Sequence, residues 1–148
     1  MQRVKVAIIG FGNVGKEVME AVIESPDMEV AGIVEVPKKV ESMKGKFHDF
    51  PVTSSVEELG RVDIAILAVD SRCVPQIAPH YLEMGINTID AFDIHGDSII
   101  KLREELTSVA KAHDAVAILS AGWDPGTNSV VRTIMQTIAP KGMTYTNY

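Results

Sequence analysis

The sequence predicts an α/β protein, with helices on both faces of one parallel sheet. Three observations predict it. Short apolar runs alternate with amphipathic segments along the chain, the βαβα rhythm of a parallel sheet. The runs at 4–9 and 62–69 are nearly continuous in apolar residues, as strands buried on both faces are. A glycine-rich turn, Gly10-Phe11-Gly12-Asn13-Val14-Gly15, joins the first of these runs to the first amphipathic segment.

The elements follow in order. Residues 4–9 form the first strand. Over 13–24, Val14, Val18 and Val22 recur on one helical face, with Met19 and Ile23 beside them, and Ser25-Pro26-Asp27 ends the helix. Residues 29–34 form the second strand. Residues 37–50, polar and basic at their start, read as a loop or a short irregular helix, and 51–53 as a short third strand. Ser55-Val56-Glu57-Glu58 has the pattern of a capping box on a short helix. Residues 62–69 form the fourth strand. A helix spans 75–84, with Pro75 near its start and Gly85 at its end. Residues 86–90 form the fifth strand. Asp97 or Ser98 caps a long helix to about His113, whose stripe is Ile99, Leu102, Leu106, Val109 and Ala110. Residues 115–120 form the sixth strand. A last helix over 125–138 opens with Pro125 and closes before Pro140, and 143–148 begin another extended segment. With right-handed crossovers, six strands take the doubly wound Rossmann order 3-2-1-4-5-6.

Composition narrows the function classes. The 148 residues suit one domain, and 46% hydrophobic content supplies a core. A net charge of −6 with no Lys/Arg cluster argues against nucleic acid as a partner. No apolar run approaches the ~20 residues of a membrane span, and the N-terminus enters a strand without a signal-peptide pattern. The single cysteine, Cys73, excludes an internal disulfide framework and fits a cytoplasmic location. Beside Val74 and Pro75 it reads as a small packed apolar residue. His48, His80 and His113 are scattered, no cluster has metal-ligand spacing, and no metal is expected.

The glycine turn sits where dinucleotide binding requires it, after a buried strand and opening a helix. Gly10 allows the tight turn, Gly12 lets a pyrophosphate approach the backbone, and Gly15 lets helix and strand pack closely. The helix N-terminus offers free N–H groups to the phosphates. The competing reading is a purely structural turn. Glu35 ends the second strand near the ~20-residue offset at which an acidic side chain binds the adenosine ribose. A carboxylate there repels a 2′-phosphate, which argues for NAD. Lys38 and Lys39 argue the other way unless they are solvated loop residues, the reading preferred from sequence.

Further polar groups fall at strand C-termini, the edge at which open α/β sheets bind ligands. Asp70 and Ser71 follow the fourth strand, Asp90 to His95 close the fifth, and Gly122-Trp123-Asp124-Pro125-Gly126 follow the sixth. The glycine turn, Glu35, Asp93 and Asp124 should therefore share one crevice. Asp93 and Asp124 have no basic neighbour in sequence and could hold a substrate ammonium beside a nicotinamide. That suits oxidation of a C–N bond, in which hydride leaves carbon and water hydrolyses the imine. Asp124 also reads as the N-cap of the helix that starts at Pro125. Asp90 reads as structural. His95 is either a general base or a loop histidine with a backbone hydrogen bond. Trp123 is either a pocket wall or a core residue.

Together, Gly10-Phe11-Gly12-Asn13-Val14-Gly15, Asp90-Ala91-Phe92-Asp93-Ile94-His95 and Gly122-Trp123-Asp124-Pro125-Gly126 resemble meso-diaminopimelate dehydrogenase along the whole chain. The resemblance implies reversible, NADP-dependent oxidative deamination of meso-2,6-diaminopimelate at its D-centre. The product is L-2-amino-6-oxopimelate, which cyclises to tetrahydrodipicolinate, and the reverse reaction serves lysine biosynthesis. It implies a cytoplasmic homodimer. Asp93 and Asp124 match the carboxylates that hold the D-centre amino group, and Tyr148 matches an aromatic residue lining the substrate pocket. Cofactor contacts carry over to Phe11, Gly12, Asn13 and Val14, then to Ala68, Val69, Asp70 and Ser71. They continue at Ala91, Phe92 and Asp93, and at Ala121, Gly122, Trp123, Asp124 and Pro125.

Two departures stand out. An Arg pair that clamps the 2′-phosphate in the family is replaced by Val36 and Pro37, so NAD or dual use competes with NADP. The family is about twice this length, so the chain reads as a fragment lacking the substrate-binding and dimerisation domain. It is expected to bind cofactor weakly and not to turn over. The alternatives are a dehydrogenase of another diamino acid, a non-catalytic NAD(P)-sensing module, and a CoA or nucleotide-sugar site on the same fold.

Overall fold

The computed structural model describes residues 2–122 and 126–142. Six strands form one parallel sheet in the order β3-β2-β1-β4-β5-β6. They are β1 (Val4–Ile9), β2 (Met28–Val34), β3 (Val52–Thr53), β4 (Ile64–Leu67), β5 (Asn87–Asp90) and β6 (Ala117–Ile118). The helices are α1 (Asn13–Glu24), α2 (Pro37–Met43), α3 (Val74–Glu83), α4 (Asp97–Ala112) and α5 (Thr127–Ile138).

β1 lies at the centre of the sheet, and its side chains from Val6 to Ile9 are buried on both faces. Successive side chains point to opposite faces. Ala7 and Ile9 join Ala65 and Leu67 of β4 in the core beneath α3 and α4, which contributes Val74, Ala78, Leu82, Leu102 and Leu106. Ile8 faces α1, where a Cβ on Gly15 would lie 3.5 Å from Ile8 Cγ2. The sheet order matches the expected one, and every strand's existence was legible.

Several local expectations are corrected. On α1 the buried residues are Gly15 and Val22, with Val18 and Met19 half-buried, whereas Val14 and Ile23 are more than half exposed. The cause is the turn before it. A Cβ on Gly15 would lie 2.2 Å from the Gly10 carbonyl oxygen, so the helix is set down with its glycine, not Val14, against the strand. Of the two readings of the segment from Pro37, a loop or a short helix, the helix holds, over Pro37–Met43. The Ser55 pattern is not a capping box: Val56–Leu59 is a single 3₁₀ turn, and the Ser55 hydroxyl donates to the Glu57 carboxylate. α4 is capped by Gly96 at φ +74°, not by Asp97 or Ser98. Asp97 instead lies in the first turn, where its charge suits the helix dipole. α5 begins at Thr127 with Gly126 at its N-cap, later than Pro125. Cys73 is exposed rather than packed. Trp123, Asp124, Pro125 and the segment 143–148 with Tyr148 lie outside the described residues.

The close approach of Gly15 to Gly10 makes a prediction. Gly15→Ala forces the helix off the strand and should destabilise the fold by about 1–3 kcal/mol, read as a lower urea midpoint with unchanged slope.

Candidate functional site

The site is built where the first three strands end. Gly10 has φ +89°, and a Cβ there would meet Ala68 O at 2.7 Å and Val69 Cγ1 at 2.9 Å. Its N–H donates to Val34 O at 2.9 Å, which ties the turn to the end of β2. Gly12 differs: a Cβ there would meet nothing within 4 Å. Open space over Gly12 at the N-terminus of α1 is the cradle a pyrophosphate needs.

Glu35 sits under this turn. Its Oε1 accepts from the Phe11 N–H at 2.7 Å and from Lys39 Nζ at 2.8 Å, and its Oε2 accepts from the Val36 N–H at 3.1 Å. Burial opposes the charged form. The Lys39 ammonium and the N–H groups of Phe11 and Val36 outweigh it and hold the carboxyl below its ordinary value. Lys39 is therefore not a solvated loop lysine. It lies in α2, paired with Glu35. The Phe11 ring meets Phe47 edge-on at 5.1 Å between centroids, which places the segment after α2 against the turn.

Beside the turn opens a cavity of about 360 Å³. It is lined by Ile9, Gly10, Val34, Glu35, Val36 and Pro37, and by Ser54, Val69, Cys73, Ile77 and Tyr81. Mostly apolar walls with a few polar groups suit the adenosine half of a dinucleotide. Ser54, Ile77 and Tyr81 are not picked out from sequence, and Cys73 reads there as a packed residue. Cys73, Ile77 and Tyr81 recur at intervals of four on one face of the α3 region, a spacing that reads as core. Burial pushes the Tyr81 phenol up to about 12, with a smaller contribution from Glu57.

Across the crevice, Ser71 and Asp93 join the loops after β4 and β5. The Ser71 hydroxyl donates to Asp93 Oδ1 at 2.6 Å, and the Asp93 N–H donates to Ser71 Oγ at 3.1 Å. Asp93 is exposed. Asp90 is 2% exposed, and its Oδ1 accepts from the N–H groups of Phe92 at 2.9 Å and Ser120 at 3.1 Å. Ser120, held at φ +57°, donates its hydroxyl to Phe92 O at 2.7 Å. Asp90 thus locks the ends of β5 and β6 together, as its structural reading expects. Its Oδ2 and the Thr88 hydroxyl, two residues back on the same face, are buried with no partner among the described residues.

Asp70 accepts the Arg72 N–H at 2.9 Å and shapes the turn into α3. The Phe92 side chain belongs to the core, Ala91 is exposed, and His95 is exposed in the loop before α4. Gly122 and Gly126 form an isolated parallel bridge. A Cβ on Gly126 would lie 1.5 Å from Gly122 O, so this close backbone approach requires glycine at 126. Asn13 and Val14 are exposed at the start of α1, as is Val36 before α2. Among the described residues, no group of three His, Cys, Asp or Glu side chains is placed to hold a metal, and no helix is long and apolar enough to cross a membrane.

A doubly wound sheet with this glycine turn, an open pyrophosphate cradle and an adjoining apolar cavity defines a dinucleotide-binding domain of the Rossmann class. Residues 5–104 match the family model for the semialdehyde dehydrogenase NAD-binding domain, and the chain belongs to that family. It is 49% identical over 148 residues to a meso-diaminopimelate D-dehydrogenase of Bacteroides fragilis, a match covering 100% of this chain and 49% of that protein. Its fold superposes on the Corynebacterium glutamicum diaminopimelate dehydrogenase in complex with diaminopimelate with a TM-score of 0.73. That match has 29% identity and covers 93% of this chain and 42% of the other. An engineered D-amino acid dehydrogenase bound to NADP⁺ gives a TM-score of 0.70 at 27% identity, covering 93% and 42%. The chain spans about half the length of the curated relatives it matches.

Two predictions follow from this geometry. Gly12→Ala, whose methyl meets only open space, should leave stability within about 0.5 kcal/mol yet weaken dinucleotide binding about tenfold or more, read by calorimetry. Glu35 has a lowered folded-state pKa, so its stabilisation is present above the unfolded value of about 4.3 and is lost as pH falls through the folded value. Glu35→Gln should therefore lower the melting temperature at pH 7 and narrow its gap to the native protein as pH drops below about 4.

Proposed function

We propose that this chain is the cofactor half of an enzyme for NAD(P)-dependent oxidative deamination of meso-2,6-diaminopimelate at the D-centre. The products are L-2-amino-6-oxopimelate and ammonia, and the reverse reaction feeds lysine biosynthesis. One observation carries the substrate assignment: 49% identity across the entire chain with a meso-diaminopimelate D-dehydrogenase. The residues suit the chemistry. A bound nicotinamide would supply the acceptor for the hydride that leaves the substrate carbon. Asp93, fixed by Ser71 at the same sheet edge as the glycine turn, supplies a carboxylate for the substrate ammonium. Asp124 is assigned the partner carboxylate, and Tyr148 a wall of the substrate pocket. As the C–N bond is oxidised the ammonium loses a proton and the carbon its hydride. Water then adds to the imine and ammonia leaves.

The groups that grip the distal carboxylate are assigned to a region beyond these 148 residues. The same reading makes the whole protein a cytoplasmic homodimer.

Calorimetric titration with NADH and NADPH, alongside an assay of diaminopimelate-dependent dinucleotide reduction, tests the reading. The 148-residue chain should bind a dinucleotide and fail to turn over. Robust turnover by this chain alone would overturn the division of labour. In the whole protein, Asp93→Asn should cut the deamination rate at least about 100-fold, a larger loss than any it causes in dinucleotide affinity. A sensing module would bind dinucleotide and show no deamination to lose.

A further inference from the structure

An unpaired carboxylate at the end of the second strand hydrogen-bonds the ribose 2′-hydroxyl and repels a 2′-phosphate. Glu35 stands at that position, but it is not unpaired. Two main-chain N–H groups and the Lys39 ammonium surround it, and its side chain is only 5% exposed, whereas that of Lys39 is 58% exposed. The Glu35–Lys39 pair carries no net charge. The ammonium has three protons and gives one to Glu35 Oε1, which leaves the others for a ligand. The lysine is anchored one turn into α2, whose first turn holds Pro37 at the rim of the cavity. Val36 and Pro37, the residues directly after Glu35, offer no cation.

We propose that Lys39, anchored on Glu35, receives the 2′-phosphate of a phosphorylated dinucleotide, so that the cavity beside β2 takes NADPH despite the acidic residue there. A lysine binds phosphate as a point charge and tolerates the variable geometry of a rotating phosphate. Glu35 Oε2, which accepts one N–H, keeps a lone pair for the 2′-hydroxyl of the unphosphorylated cofactor. The pair thus admits both cofactors, and Lys39 sets the preference between them. This inference rests on the dinucleotide reading above.

The test is the pair of dissociation constants for NADPH and NADH at fixed ionic strength, for the native chain and for Lys39→Met, Lys39→Arg and Lys38→Met. The native chain should bind NADPH at least as tightly as NADH. Lys39→Met should weaken NADPH about tenfold or more and change NADH less than about threefold. Lys39→Arg should retain NADPH, and Lys38→Met, which removes a neighbouring exposed cation, should alter neither constant. Added salt should shrink the NADPH advantage of the native chain. The proposal is overturned if Lys39→Met weakens both cofactors equally, which marks a structural role, or if the native chain binds NADH and rejects NADPH. If the native chain binds neither dinucleotide, the underlying reading falls with it.

Discussion

The site depends on one buried carboxylate. Glu35 lies beneath the glycine turn, where a charge without partners costs several kcal/mol. The chain satisfies it with main-chain N–H groups from both sides, Phe11 of the turn and Val36 at the start of α2, and with the Lys39 ammonium. Those contacts tie the glycine turn to the stretch from the end of β2 into α2, 24 residues further along the chain. Once the Phe11 N–H is fixed on Glu35 and the Gly10 N–H on Val34 O, the turn has little freedom left, and the open space over Gly12 follows from its shape. Phe47 backs the Phe11 ring from the other side. The residue that most resembles a ligand-reading group is therefore also a brace of the phosphate cradle.

The three glycines of the turn divide the remaining work by what surrounds them. Gly10 needs both its positive φ and the absence of a Cβ, because Ala68 and Val69 crowd it. Gly15 has ordinary backbone angles and is required only because α1 crosses the strand so closely. Gly12 is required by neither fold nor backbone, since its surroundings are empty. A glycine that the fold does not need, at the mouth of a crevice and at a helix N-terminus, is explained by what binds there.

Period and punctuation made the sheet legible. Continuous apolar runs marked the central strands, and Pro and Gly marked the ends of α1 and α3, so the order of six strands followed from topology rules alone. What escaped was orientation. Val14 falls on the apolar stripe of α1 by spacing, yet the Gly10–Gly15 contact turns it outward. Ser55 and Glu58 have the spacing of a capping box, but a four-residue 3₁₀ turn gives the serine no helix to cap, and it bonds Glu57 instead. For the site, the sequence marked Glu35 and Lys39 separately. Their pairing depends on a helix over Pro37–Met43, which a basic, proline-led segment left open against a loop. Cys73, Ile77 and Tyr81 share one face and so resemble core. Only the packing of α3 on the sheet shows that part of that face borders the cavity.

The two aspartates at the end of β5, Asp90 and Asp93, show how a strand end separates a buried structural carboxylate from an exposed one. Asp90 still alternates with the strand, so its side chain points inward, and a buried carboxylate in that place is held by the nearest free N–H groups, those of Phe92 and Ser120. That clamp sets β6 beside β5 and brings the turn that leads to Gly122 to the same edge as the loop carrying Asp93. Three residues further on, the chain has left the ladder, and Asp93 emerges into the crevice, where Ser71 fixes it through two reciprocal hydrogen bonds. A carboxylate that is exposed and held in one orientation can meet a cation without first being reorganised. Asp90 has no such freedom, because moving its carboxylate would release the ends of two strands. The same residue type three positions apart thus serves the scaffold and then stands exposed in the crevice, and the difference is whether the side chain is still under the alternation of the sheet.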